Sequence, residues 1–294
     1  MTDRVARRLL LLHAHPDDET IQTGGVIAKY LDEGVDVRVL TFTLGEEGEV
    51  IGDEWAQLVA DGGADQLGGF RILELTRALV ALGPPDRQPL RPRFLGGAGH
   101  WRDSGMAGAP SARHPRALVQ ASFDDLVDTL TAEIESFAPQ VIVTYDDAGT
   151  YGHPDHVLVH QTTVAAVARL SEAVRADLKV YESITERSAL VTGLADAADR
   201  VPVGWRMPDT AELPSHPDDE ITTAIDIGAW YERKVAALAA HATQVTVAES
   251  GTEYALSNNI LQPIPATEFF IRTVGAPGTH GPGTRETDLF EGVP

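Results

Sequence analysis

Four consecutive leucines at residues 9–12 lie between Arg8 and His13 near the start of the chain. A short run in which every side chain is apolar is typical of a strand that is buried on both faces, because successive side chains of a strand point to opposite sides of the sheet. Such strands occur in parallel sheets that are covered by helices on each side. The run therefore predicts an α/β fold.

Strand and helix patterns alternate after this run. Further strands are predicted at 35–43, 140–145, 178–183 and 268–274. Helices are predicted at about 20–33, 53–67, 70–82, 116–137, 154–174 and 228–241, whereas 184–227 gives no clear pattern. We expect a Rossmann-like, mostly parallel sheet with helices on both faces and an active site at the C-terminal ends of its strands.

Composition excludes several classes of function. The chain has no cysteine, so disulfides, thiolate nucleophiles and cysteine-held zinc are excluded, and a metal would be held by His, Asp and Glu. The formal net charge of −21 disfavours nucleic-acid binding, because no local basic patch offsets it. No apolar run approaches the ~20 residues that span a bilayer, and the leucine run is too short for a signal peptide. We expect a cytoplasmic protein without nucleic-acid or membrane partners; the oligomeric state stays open.

The sequence HAHPDDE (13–19) directly follows the leucine run. It places imidazole and carboxylate groups at the carboxyl end of a strand, where open α/β sheets bind ligands. His15 and Asp18 are three residues apart at a strand-to-helix junction, so both can face one point. Asp17 and Asp18 are adjacent and must point apart, which suits two different roles. The alternative is that Asp17 or Asp18 only caps the following helix.

A second loop of this kind, DDAGTYGHPDH (146–156), follows the strand at 140–145. His156 of this loop, together with His15 and Asp18, would make a His-Asp-His set that leaves zinc an open position for water, as in catalytic zinc sites. Such a set also accepts Fe²⁺ and other divalent ions.

Two more residues of the second loop can reach the same pocket. His153 lies close to His156 in sequence, and Asp155 can orient the His153 imidazole. Isolated histidines are usually surface residues, but two histidine–carboxylate loops at two strand ends are difficult to reach by chance. The pair of loops therefore favours a metal hydrolase over a structural explanation.

The letters HPDDE occur again at residues 216–220. No buried strand precedes this copy and no partner loop accompanies it. We expect it to form a surface turn that leads into a helix, and to have no role in the site.

Other reactive motifs are missing from the sequence. There is no GxSxG motif of a serine hydrolase and no GxxxxGK[ST] phosphate loop. The glycine spacing of a dinucleotide-binding turn is also absent.

The blocks AHPDDE (14–19) and GHPDH (152–156), each behind a buried strand, resemble the LmbE/PIG-L family of zinc-dependent de-N-acetylases. Further blocks are similar to the actinobacterial members that remove acetate from N-acetylglucosaminyl-inositol in mycothiol biosynthesis: TLGEEGEVIGDEWAQL (43–58), ADQLGGFRILEL (64–75), LGGAGHWRDSGM (95–106), KVAALAAHATQV (234–245) and ALSNN (255–259). The two metal motifs identify only the superfamily, whereas the blocks at 43–58 and 95–106 are specific to this subfamily.

The resemblance implies one zinc ion per chain and a role for each residue of the two loops. The implied ligands are His15, Asp18 and His156. Asp17 would be the general base on the attacking water. By the same resemblance, His153 protonates the departing amine or steadies the oxyanion, and Tyr151 is a mobile residue that helps to bind the oxyanion.

A sugar-inositol pocket is implied at Glu49, Arg71, Asp103 and Met106. The alternatives are surface ion pairs for Arg71 and Asp103, and a core position for Met106. The chain departs from the family pattern at Thr150, where glycine is expected before the tyrosine, and in the longer Pro-rich segment 83–93, whose role stays open.

Three other functions stay open at this point. One is a mycothiol S-conjugate amidase of the same superfamily, which cuts a larger amide. Another is a de-N-acetylase of a different GlcNAc-containing small molecule. The third, from another class, is a non-catalytic sugar-binding protein that retains the fold.

Chain length bounds the domain organisation. A chain of 294 residues can form one large α/β domain. Residues 1–183 are expected to form the catalytic core with both metal motifs, and residues 184–294 to complete the same domain. The Gly- and Pro-rich tail from about residue 275 is expected to be mobile.

Overall fold

The computed structural model of the chain describes residues 6–59, 65–209, 212–278 and 284–293. Its strands are β1 (Arg8–His13), β2 (Asp36–Thr41), β3 (Val141–Tyr145), β4 (Lys179–Ile184), β5 (Thr223–Asp226), β6 (Thr246–Val247), β7 (Glu253–Ala255), β8 (Gln262–Pro263) and β9 (Thr267–Val274). Its helices are α1 (Asp18–Asp32), α2 (Gln66–Leu82), α3 (Phe123–Phe137), α4 (Gly149–Gly152), α5 (Pro154–Arg169), α6 (Glu172–Arg175), α7 (Arg187–Ala197) and α8 (Tyr231–Ala240).

A six-stranded sheet with the order β2-β1-β3-β4-β9-β5 forms the centre of the fold. Strands β1 to β4 run parallel, and β9 is antiparallel to both of its neighbours. The chain leaves β1 towards β2 on one side and later returns to β3 on the other side. This change of direction opens a crevice beyond the carboxyl ends of β1 and β3, which is the usual ligand site of such sheets. The predicted fold class is confirmed.

The leucines of β1 explain why the sheet needs helices on both faces. Leu9 and Leu11 pack in one cluster with apolar residues of α1, α2 and α8, and Leu10 and Leu12 pack in a second cluster with α3 and α5. All four leucines are fully buried. Truncating one of them to alanine would cost about 2–5 kcal/mol of stability, because it removes buried methyl groups and leaves a cavity.

Several predicted helices differ in extent from those observed. The helix predicted at 116–137 begins only at Phe123, which Ser122 caps, and a 3₁₀ turn at Leu118–Gln120 precedes it. The segment predicted as a helix at 53–67 contains a 3₁₀ turn at Ala56–Val59 and the first two residues of α2, and residues 60–64 lie outside the described residues. Side chains at 51–59 are half-buried or exposed, so no apolar face stabilises a longer helix there. The helix predicted at 154–174 ends at Arg169, after which Leu170 is extended and Ser171 caps the short α6.

The segment 184–227, whose sequence shows no clear secondary-structure pattern, contains α7 and β5. A small antiparallel sheet with the order β6-β7-β8 lies near α8, whose Leu238 packs with Val245, Tyr254 and Ile264. The Pro-rich segment 83–93 contains neither helix nor strand. No helix of the described residues is long and apolar enough to span a membrane.

The tail from about residue 275, expected to be mobile, is described at 275–278 and 284–293; residues 279–283 lie outside the described residues. Leu289 and Phe290 of its second part are buried in the core. The Phe290 ring lies 5.3 Å from that of Tyr30 in α1, and Glu286 accepts a 2.7 Å hydrogen bond from the buried Nζ of Lys179. These apolar and charged contacts order a segment that is flanked by glycine and proline.

Candidate active site

Three donor atoms from the two strand-end loops form a nearly equilateral triangle. Nδ1 of His15 lies 3.4 Å from Oδ2 of Asp18, and Nε2 of His156 lies 3.3 Å from each of these two atoms. Zinc bonds of about 2.0–2.1 Å at tetrahedral angles place neighbouring ligand atoms about 3.3–3.4 Å apart. The triangle therefore fits a tetrahedral divalent ion with one position left open.

The electrostatics of the triangle also favour a cation. Burial alone would lower the pKa of His15, but the carboxylates of Asp103, Asp155 and Asp18 hold this pKa well above its usual value. Burial would raise the pKa of Asp18, but His156 and His15 hold it well below its usual range. The raised pKa of His15 and the lowered pKa of Asp18 both show that positive charge is stabilised at the triangle. A divalent ion bound there would supply that positive charge.

Carboxylates on the far side of His15 fix its ring. Nε2 of His15 lies 3.3 Å from Oδ2 of Asp155 and 3.4 Å from Oδ1 of Asp103, so Nδ1 is the nitrogen that faces the triangle. Asp155 also accepts the backbone N–H of Ser104 at 3.0 Å. The Asp155 carboxylate therefore faces the ring of His15, whereas the sequence predicts that it orients His153.

Tyr145, the last residue of β3, supports the other two corners of the triangle. Its hydroxyl donates to Oδ2 of Asp18 at 2.7 Å and accepts the backbone N–H of Ala14 at 2.7 Å. Its ring stacks on that of His156, with centroids 4.2 Å apart and planes 18° apart. Sequence reasoning missed this residue, although its place at the end of a strand next to the second loop was a usable signal.

Asp17 points away from Asp18, as predicted for two carboxylates with different roles. Its backbone has φ 125° and ψ −35°, a conformation that L-residues rarely adopt, and its carboxylate lies 3.1 Å from Nη2 of Arg71. The side chain makes no capping hydrogen bond, so the alternative of a helix cap is wrong for Asp17. Burial raises the pKa of Asp17 to about 6, although the Arg71 guanidinium opposes the shift.

A buried ion pair holds the strained backbone of Asp17. Oε2 of Glu19 accepts the Asp17 backbone N–H at 2.9 Å, and Oε1 of Glu19 lies 2.9 Å from Nε2 of His241. Burial would lower the pKa of His241, but Glu19 raises it overall, which favours the charged form of the pair. Glu19 and His241 were not predicted as site residues, because they are 222 residues apart in the sequence.

His153 caps the start of α5 with its own ring. Its Nδ1 accepts the backbone N–H of Asp155 at 3.1 Å, which leaves the ring proton on Nε2, and Nε2 lies 3.9 Å from Oδ1 of Asp103. Burial, together with the neighbouring His15 and His156, lowers the pKa of His153 to about 3. A neutral imidazole with its N–H directed into the site can donate a hydrogen bond.

Tyr151 lies at the open side of the site. Its side chain is 51% exposed, and its ring centroid lies 5.1 Å from that of His156 and 6.1 Å from that of His153. Thr150, which precedes it, has φ 63° and ψ −81°. The position fits contact with a bound substrate.

The four predicted pocket residues divide into two pairs. Arg71 and Asp103 are buried at the triangle, Arg71 beside Asp17 and Asp103 beside His15, so neither is a surface ion pair. Glu49 and Met106 are exposed, so Met106 is not a core residue. Glu49 accepts a 2.7 Å hydrogen bond from Oγ of Ser257, which joins the loops at 43–58 and 255–259.

Two cavities in the described part of the chain lie away from the triangle. One cavity of about 530 Å³ is lined by residues 96–101 with 115, 116 and 121, and a second of about 390 Å³ lies between α5, β4 and β9. Neither is lined by a residue of the triangle. We assign the site from its donor geometry, since the triangle lies in the crevice beyond β1 and β3.

The second HPDDE sequence lies outside the triangle but close to the second loop. Residues 217–220 form a turn, as predicted, but the turn leads into β5 and not into a helix. The His216 side chain is only 27% exposed, because its Nε2 lies 3.0 Å from Oδ2 of Asp146.

Comparisons with known proteins agree with this geometry. A family model described as PIG-L, GlcNAc-PI de-N-acetylase, matches residues 10–167. A protein of Gordonia bronchialis is 70% identical over 97% of this chain and 100% of the relative, and one of Rhodococcus jostii is 58% identical over 98% of each. Both are named 1D-myo-inositol 2-acetamido-2-deoxy-alpha-D-glucopyranoside deacetylase.

Solved structures show the same fold at low identity. The N,N'-diacetylchitobiose deacetylase of Pyrococcus horikoshii has a TM-score of 0.51 at 19% identity over 80% of this chain and 70% of that one. GalB of Pseudomonas putida, a 4-carboxy-2-hydroxymuconate hydratase, has a TM-score of 0.54 at 16% identity over 94% and 99%. Because a hydratase shares the architecture, the fold alone does not fix the reaction. The family match and the relatives together show that the chain belongs to the PIG-L family of de-N-acetylases.

Proposed function

We propose that this protein hydrolyses the acetamide of N-acetylglucosaminyl-inositol and releases acetate and glucosaminyl-inositol in mycothiol biosynthesis. The observation that carries the proposal is the His15–Asp18–His156 triangle with the Asp17 carboxylate held beside it by Arg71. The substrate follows from the name of relatives that are 58% and 70% identical over nearly the whole chain.

Two other groups of donor atoms also lie within 4.8 Å of one another, His15–His153–His156 and His15–Asp103–Asp155. We favour the triangle with Asp18 as the ligand set. Nδ1 of His153 accepts the backbone N–H of Asp155, so Nε2 carries the ring proton and is not free to bind a metal. In the second group, Asp103 and Asp155 face Nε2 of His15, on the edge of the ring opposite to the triangle.

We propose zinc as the ion, because two imidazoles and one carboxylate are a common catalytic zinc set, and Fe²⁺ also suits these ligands. When bound, the ion would polarise the acetamide carbonyl and acidify water. Residues of the chain would accept and donate the protons and hydrogen bonds of the reaction.

Asp17 is the proposed general base. Its buried carboxylate can take a proton from the attacking water, and the pKa of about 6 is close to the value at which general bases work best near neutral pH. The contact with Arg71 fixes its direction.

His153 and Tyr151 are the proposed donors to the oxyanion. The proton on Nε2 of His153 and the hydroxyl of Tyr151 can both donate to the negative oxygen that develops on the acetamide. Because Nδ1 of His153 already accepts a backbone N–H, a second ring proton is disfavoured. The geometry therefore favours His153 as a hydrogen-bond donor over His153 as a proton donor to the amine. The proton that Asp17 takes from the attacking water would then pass to the departing amine as the C–N bond breaks.

Four residues are proposed to border the bound glycoside. Arg71 and Asp103 would lie next to the acetamide, and Glu49 and Met106 at the exposed rim. Since the named substrate of the relatives is a small polar glycoside, we propose a cytoplasmic enzyme that needs no nucleic-acid or membrane partner. We further propose that residues 1–183 and 184–294 work as one catalytic domain, because β5 and β9 complete the sheet that β1 to β4 begin.

Acetate release by metal-analysed protein tests this function. Purified protein loaded with zinc should release acetate from N-acetylglucosaminyl-inositol faster than it cuts a mycothiol S-conjugate. The reverse preference would assign the amidase function. Release from neither of these, nor from simple N-acetylglucosaminides, would leave sugar binding without catalysis and would overturn the proposal.

A further inference from the structure

The turn before Tyr151 has a conformation that this chain must hold in place. Thr150 has φ 63° and ψ −81°, in the γ-turn region that is strained for L-residues and especially for β-branched ones. Glycine would adopt this conformation without a steric cost. A threonine there persists only when the surrounding structure fixes it.

Asp146 is the residue that fixes Thr150. Its Oδ1 accepts the backbone N–H of Thr150 at 2.6 Å. Gln22 adds a longer contact of 3.4 Å to the Thr150 hydroxyl. The short bond to Asp146 is therefore the main restraint on the turn, provided that the carboxylate of Asp146 keeps its own direction.

His216 sets the direction of that carboxylate. Its Nε2 lies 3.0 Å from Oδ2 of Asp146, while Oδ1 of Asp146 faces Thr150. Asp146 is 5% exposed, so water does not readily replace a missing partner. The two oxygens of Asp146 thus connect His216 to the turn that carries Tyr151.

His216 itself is held on both sides. Its backbone N–H donates to the Thr185 carbonyl at 2.8 Å, and its carbonyl accepts the N–H of Arg187 at 3.0 Å. Its Nδ1 lies 3.1 Å from Oε2 of Glu220, the last residue of the second HPDDE sequence. The imidazole therefore has a defined place at the end of β4, next to the active-site crevice.

We propose that His216 is a positioning residue for Tyr151, acting through Asp146 and Thr150. The proposal rests on the proposed function only in so far as Tyr151 contacts the substrate. It gives the second HPDDE sequence a role that its letters do not reveal: here the histidine supports a catalytic turn and binds no metal.

Hydrogen exchange and kinetics of His216→Ala test the proposal, with Glu220→Gln as the matched control that leaves the contact to Asp146 intact. His216→Ala should speed exchange in the peptide 146–153 and lower kcat about tenfold with KM and zinc content unchanged. Glu220→Gln should resemble the unmodified protein in both measurements. His216→Gln, which keeps an N–H donor, should recover part of the protection.

A double-mutant cycle separates positioning from general stability. If His216 acts through Tyr151, then His216→Ala should lower kcat by less than about twofold in a Tyr151→Phe background. An equal loss in both backgrounds, or unchanged exchange at 146–153, would overturn the proposal. If zinc-loaded unmodified protein releases no acetate, the proposed function fails, but the exchange result still decides whether His216 holds the turn.

Discussion

Arg71 and Asp17 form a buried ion pair, with Nη2 and Oδ2 3.1 Å apart, beside the ligand triangle. Arg71 is itself fixed, because its Nη1 donates to the Gly45 carbonyl at 2.7 Å and its Nη2 also donates to the Pro16 carbonyl. The pair therefore gives the Asp17 carboxylate one direction, and this direction separates it from the ligand Asp18. Two adjacent aspartates thus have different surroundings and, we propose, different roles.

Replacing Asp17 by asparagine should abolish most turnover and leave the metal in place. The loss should be about 10²–10⁴-fold in kcat, because the general base is removed while the triangle is intact. Zinc analysis and acetate release check this together. His156→Ala is the comparison, since it should lose the metal; full activity with normal zinc content in either variant would contradict the assignment.

Tyr145→Phe should weaken metal binding without removing the ring that stacks on His156. The variant loses the 2.7 Å hydrogen bond to Oδ2 of Asp18, so this ligand is less well oriented. Loss of such a support typically costs about 10–100-fold in metal affinity. Competition with a chelator measures the affinity, and an unchanged value would show that Tyr145 does not orient the ligand.

Asp155→Asn tests whether this carboxylate supports His15, which it contacts in the structure, or His153, which the sequence predicts as its partner. Because Oδ2 of Asp155 faces Nε2 of His15, the change should lower metal affinity about 10–100-fold. An effect on turnover alone, at unchanged affinity, would support a role towards His153 and contradict the geometry. Zinc titration of the purified variant gives the answer.

Glu286→Gln should destabilise the protein in a pH-dependent way. Burial would raise the pKa of Glu286, but Lys179, Tyr181 and Thr223 lower it overall, so its stabilising effect is present above the unfolded pKa of about 4.3 and is lost as the pH falls through the lower folded pKa. At pH 7 the variant should lose about 3–5 kcal/mol, because Lys179 remains buried without its charged partner.

Urea unfolding of both proteins at pH 7 and at pH 3 measures this difference. The difference in the free energy of unfolding between the two proteins should be smaller at pH 3 than at pH 7. A gap that stays constant, or widens, would show that the charge of Glu286 does not stabilise the segment 284–293.

Local patterns predicted the parts of the fold and site that depend on neighbouring residues. The leucines of β1 required a sheet covered on both faces, and His15, Asp18 and His156 were predicted because each belongs to a loop that follows a buried strand. The direction of β9 was not predictable, since a strand pattern has the same period in parallel and antiparallel sheets.

Long-range contacts account for the errors. Tyr145 and Asp18 are 127 residues apart, and Asp155 and His15 are 140 apart, so neither contact can be predicted from neighbouring residues. Asp155 was assigned to His153 because the two are close in sequence. In the structure, only the backbone N–H of Asp155 reaches His153, and the start of α5 directs the carboxylate towards β1.

The ring nitrogens of His15 and His156 are 3.3 Å apart although 141 residues separate them in the chain. In an unfolded chain, groups this distant meet only at an entropic cost that grows with the length of the loop between them. An ion held by both would therefore act as a reversible cross-link between the loops that follow two central strands, and it would stabilise the native state more the more tightly it binds. Loss of the ion would then lower the melting temperature together with activity, so that resistance to heat and catalytic competence depend on the same few atoms.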